Sequence, residues 1–93
     1  MDNNLNGIQT AESQESRIKW WFLNNPEKEI TSLDALRLFG SLEFPKRVST
    51  LVAQGLPISR DRTIQVHKNK RVKAYYITKE NAAKYMDANN IAL

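Results

Sequence analysis

Apolar residues recur at helical spacing over residues 13–24. Ile18, Trp21 and Phe22 fall at i, i+3 and i+4, so they share one face. Asn24-Asn25-Pro26 ends that pattern, because Asn tolerates a left-handed cap and Pro blocks continuation. Trp20 stands off the main stripe and fits either a second ring of core or a dimer contact. Glu29-Ile30 is long enough for a brief strand only. Thr31-Ser32-Leu33-Asp34 has the S/T-x-x-D/E form of a helix start. The spacing predicts a second helix over about 32–39, with Leu33, Leu36 and Phe39 as its core face. Gly40 ends it, since Gly carries no Cβ penalty in the left-handed conformation.

A third helix is expected over about 44–54. Pro45 suits its first turn, where a missing N–H has no partner to lose, and Gly55 follows its end. Phe44, Val48 and Leu51 form one face, with Val52 at the margin. The opposite face holds Lys46, Ser49, Thr50 and Ala53, and Arg47 and Gln54 lie on the flank. After Gly55 the period shortens to two. Strands over about 62–66 and 71–77, joined through His67-Lys68-Asn69-Lys70, read as a β-hairpin with a basic tip. The pattern does not decide which hairpin face meets the core. Thr78 could cap a last, weakly amphipathic helix over about 79–88 that packs at its start. Residues 1–12 are polar and aperiodic and are expected to form a disordered tail. The division is therefore a tail at 1–12, a domain at 13–78, and a terminal helix and tail at 79–93.

Charge sharpens this outline. Residues 45–79 hold nine Lys or Arg against Asp61 alone, a net +8. Residues 1–44 carry a net −3 and residues 80–93 a net −1, which leaves +4 for the chain. A basic block of this size is suited to neutralising phosphates with counterion release. With no cysteine and one histidine, the chain offers no thiolate metal site and no cysteine nucleophile. It has no Gly-rich phosphate loop and no His/Asp/Glu cluster, so neither an enzyme nor a cofactor is expected. His67 is read as an exposed turn residue or a phosphate contact. No apolar run suits a membrane span, and residues 1–14 lack signal-peptide features. A soluble, cytoplasmic protein is expected.

Two short helices joined by a Gly-containing turn, followed by a basic hairpin, describe a mainly α fold with a small β-hairpin (α+β). This is a winged helix-turn-helix. Residues 30–40 (ITSLDALRLFG) resemble the opening of a small helix-turn-helix family common in phage and prophage genomes. In that family an Arg-bearing helix, a Gly-x-Pro-Ile turn and a basic strand ending in Tyr-x-Leu follow. The corresponding parts here are Arg47-Val48-Ser49-Thr50-Leu51, Gly55-Leu56-Pro57-Ile58, and Lys70 to Ile77. The similarity covers about residues 30–77. Pro45 and Lys46 depart from the family's usual small or polar residues, which bears on sequence preference. The resemblance implies a winged-helix DNA-binding module.

The residues expected to meet double-stranded DNA are Lys46, Ser49, Thr50 and Gln54 on the third helix, and Arg60, Arg62, Lys68, Lys70 and Arg71 on the hairpin. Arg47 has two open roles: DNA contact, or pairing with an acid of the preceding helix such as Asp34. The leading function is sequence-specific DNA binding as a small regulator or an excisionase-like architectural factor of a mobile element, alone, as a homodimer or with a partner protein. The alternatives are a protein-interaction module whose basic wing meets an acidic partner, and an RNA binder stacking bases on Tyr75 and Tyr76. The two tyrosines are better suited to the small core.

Overall fold

The computed structural model describes residues 11–91. Its elements are helices α1 (Ala11–Asn24), α2 (Ser32–Phe39) and α3 (Phe44–Ala53), strands β1 (Ser59–His67) and β2 (Lys70–Tyr76), and helix α4 (Lys79–Ala88). The tail expected at 1–12 lies outside the described residues as far as residue 10. Helix α1 begins two residues earlier than its apolar stripe suggests.

Local chemistry sets the helix ends. Thr31 Oγ1 accepts the Asp34 N–H, and Asp34 Oδ2 accepts the Thr31 N–H, so two of the four free donors at the start of α2 are satisfied. Gly40 closes α2 at φ +67 and donates to the Ala35 and Leu36 carbonyls. A β-carbon there would be strained by that φ rather than by any neighbour. Thr78 caps α4 by accepting the Asn81 N–H. Glu27 accepts the Lys79 N–H at 2.9 Å while its own N–H donates to the Ile77 carbonyl. The segment after α1 is thereby tied to the start of α4.

The strands form an antiparallel hairpin with register shifts between Ser59 and Arg62 and between Gln65 and His67. Ile30 adds a single bridge to Tyr75, the brief strand expected at Glu29-Ile30. Phe44 is the hub of the core. Its ring stacks on Phe22 of α1 at 6.4 Å and meets Tyr75 of β2 edge-on at 5.1 Å. The first residue of α3 is thus locked between α1 and the hairpin. Val48 and Leu51 continue the buried face, and Leu56 and Ile58 close it below.

Two packing expectations need correction, and one open point is resolved. Leu33 and Leu36 are not core: they are 55% and 40% exposed, and Ala35 and Phe39 are buried instead. Ala35 is small enough to admit the neighbouring helices closely, and it turns the leucines outward. The hairpin meets the core through Tyr75 of β2 and Ile77 just beyond it, while Ala74 and Tyr76 on the other face are buried outside that cluster. Helix α4 packs beyond its start, since Tyr85 and Met86 join Ala82 against the core. Trp20 lies partly buried against the same core, the first of its two readings.

Candidate nucleic-acid interface

Helix α3 presents its polar face as its sequence implies. Lys46, Ser49, Ala53 and Gln54 are exposed and Thr50 is half-buried. Thr50 Oγ1 donates to the Lys46 carbonyl at 3.1 Å, which holds its rotamer and leaves the oxygen free to accept. Lys46 is 3.9 Å from Glu43, with both side chains more than half exposed. Such a pair adds little and gives way readily to a phosphate.

Arg47 does a different job. Its side chain is only 14% exposed, and Nη1 donates to Glu15 Oε2 of α1 at 3.2 Å. Nη2 lies 3.6 Å from Glu43. The acid it pairs with is therefore on α1 and in the turn before α3, not Asp34, which is engaged in capping α2. Its Nε is buried without a hydrogen-bond partner. The guanidinium fastens α3 to α1 and shares the Glu43 carboxylate with Lys46.

The cations of the hairpin divide in the same way. Arg62 lies 3.8 Å over the Tyr76 ring and pairs with Glu29 at 3.2 Å. Tyr76 in turn donates to Asp61 at 2.6 Å. That hydrogen bond holds the Asp61 carboxyl below its ordinary range and pushes the Tyr76 phenol up. Burial does the same to the Tyr75 phenol. Arg62 is thus part of the joint between Glu29 and the hairpin base. Arg71 reaches across the strands to Thr63, Nε donating to Oγ1 at 2.8 Å and Nη2 to the carbonyl at 3.3 Å. Arg60, Lys68, Lys70 and Lys73 are exposed, and among the described residues no ion pair engages them. His67 is exposed beside the tip.

A family described as a winged helix-turn-helix domain matches residues 13–80. The chain belongs to this family. Comparison with curated proteins and with solved structures gave no match. The family assigns names to the parts: α2 and α3 are the helix-turn-helix pair, and β1–β2 is the wing. It points to DNA binding in general terms. No helix among the described residues is long and apolar enough to cross a membrane.

Within this winged helix the expected DNA-contact residues fall into three sets. Lys46, Ser49, Thr50 and Gln54 gather on α3, while Arg60, Lys68, Lys70 and Arg71 lie along the wing. Arg47 and Arg62 are held in joints between elements. Lys73, outside the set expected from the sequence, is exposed, as Lys70 is. Its spacing from Arg71 was the available signal, since residues two apart on a strand share a face.

Proposed function

We propose that the protein is a sequence-specific double-stranded DNA binder, with α3 in the major groove and the wing on the flanking backbone. The observation that carries this reading is the division of α3. Phe44, Val48 and Leu51 are buried, while Lys46, Ser49 and Ala53 stand exposed, with the Glu43 carboxylate 3.9 Å from Lys46 at the start of the helix. A helix rooted on one side and lined on the other with short polar groups and a cation can approach base edges closely. Lys68, Lys70 and Arg71 on the wing would neutralise phosphates, which positions the protein without specifying sequence.

On the resemblance to phage and prophage helix-turn-helix proteins, the role is that of a small regulator or an excisionase-like architectural factor, acting in the bacterial cytoplasm. The test is selection from random duplexes with sequencing, followed by affinity for the winner across ~50–200 mM salt. An enriched motif with a steep salt slope is expected. Two-fold symmetry in that motif, with half-sites about one helical turn apart, would identify a dimer. A steep slope without enrichment would reduce the reading to non-specific binding, and no binding would overturn it.

A further inference from the structure

An open groove of about 760 Å³ separates the first turns of α2 from the wing. Leu33 of α2 and Ile64, Val66 and Val72 of the hairpin contribute its apolar surface. Leu33 is 55% exposed and Val66 52% exposed. Contiguous apolar surface left open in this way marks an interaction site more often than scattered single residues do. The rim is cationic: Arg37, Lys70 and Lys73 line the groove, and among the described residues none of them is ion-paired. The lining carboxylate, Asp34, is engaged by the Thr31 N–H.

A phosphate backbone would satisfy the cations but gain nothing from the apolar floor. The complement to both is a chain that carries carboxylates and apolar side chains together. We propose that this groove binds an acidic amphipathic segment of a partner protein. Its apolar side chains pack on Leu33, Val66 and Val72, and its carboxylates meet Arg37, Lys70 and Lys73. Amphipathic segments in apolar grooves are a recurrent mode of peptide recognition. No residue of α3 lines the groove, so the site does not depend on base reading by that helix, but Lys70 serves both surfaces and a bound peptide would compete with duplex for it.

The test is panning of a phage-displayed library of random peptides against the full chain. Enriched peptides should combine Asp or Glu with Leu, Ile or Phe. Leu33→Asp and Val66→Asp should each weaken their binding about tenfold, as loss of an anchoring contact does. Lys73→Glu should weaken it as well, and added salt should mimic that change. Both apolar positions are half exposed, and an acid near the start of α2 suits the helix dipole, so the variants should melt like the parent. Absence of enrichment would overturn the proposal. So would enriched peptides lacking acids or indifferent to Leu33 and Val66. If Leu33→Asp instead weakens selected duplexes tenfold and no peptide is enriched, the groove belongs to the nucleic-acid surface and the protein-partner proposal fails. Failure of Lys46→Ala to affect duplex binding would count against the DNA reading and leave the peptide result standing.

Discussion

Helix α3 and the wing both carry exposed cations, yet they are held very differently. The inner face of α3 is buried along its length at Phe44, Val48 and Leu51, and Arg47 ties its flank to α1. The wing is buried only at its base, through Ala74, Tyr75 and Tyr76, and every residue from Gln65 to Arg71 is exposed. Reading a base edge needs donors held to a fraction of an ångström, whereas holding a phosphate needs only a nearby charge. The difference in anchorage therefore assigns the roles: α3 is built to discriminate and the wing tip to adhere. Cations at the roots, Arg47 and Arg62, serve the anchorage itself.

The comparison breaks most directly at Phe44. Phe44→Ala removes the ring shared by α1, α3 and β2 and should cost about 3–5 kcal/mol of stability. Denaturant unfolding would measure it, and a loss under 1 kcal/mol would mean that α3 is not rooted as described. Arg47→Ala comes next. It strands the Glu15 carboxylate, 13% exposed, and should cost roughly 1.5–3 kcal/mol, the range for a charged hydrogen bond at a partly buried site. Its effect on DNA affinity at temperatures well below melting should be small. A large affinity loss with unchanged stability would move Arg47 from joint to contact.

Lys46→Ala and Lys70→Ala sharpen the comparison without touching the core. Lys46→Ala should weaken binding to the preferred duplex by about 1–3 kcal/mol and change the preference at one position. Lys70→Ala should weaken all duplexes alike and lower the salt slope by about 1. Titrations on two sequences at several salt concentrations separate the outcomes. Identical behaviour of the two variants would erase the division of labour.

Much of this division was legible in the residues. The Thr31–Asp34 capping pair and Gly40 fix α2 to the residue, and Phe44-Pro45 fixes the start of α3. Those signals are local, so a linear reading captures them. The orientation of α2 was not legible. Five of its eight residues, SLDALRLF, are apolar, so its wheel allows several buried faces. Packing against α1 and α3 selects Ala35 and Phe39, and that selection is what exposes Leu33 to the groove. The partners of Arg47 and Arg62 were equally out of reach. Glu15 lies 32 residues from Arg47 and Glu29 lies 33 from Arg62, pairings set by how the elements dock. A basic residue in the sequence announces a charge but not whether a distant carboxylate will claim it.

The smallest effect probes the root of the wing. Tyr76 donates to Asp61, and that bond holds the Asp61 carboxyl below its ordinary range in the folded chain. A depressed folded-state value means that the unfolded chain takes up the proton first as pH falls. The contribution of Asp61 is therefore complete above its unfolded value near 4 and is lost as pH drops through the folded value. Asp61→Asn keeps an acceptor for the phenol but removes the charge, so the variant should lack this limb. Its stability gap from the parent should narrow below about pH 4 and stay constant from there to neutral pH. At the alkaline end the raised Tyr76 phenol acts in the opposite sense, and stability falls as pH climbs past about 10, where the unfolded phenol ionises first. Unfolding curves for the two proteins from pH 3 to 7 would show the acid limb. If they run parallel, water replaces the bond at no cost. The wing would then owe its anchorage to the burial of Tyr75 and Tyr76 and to Arg62 bridging Glu29 and the Tyr76 ring, and the contrast between its root and its tip would rest on packing alone.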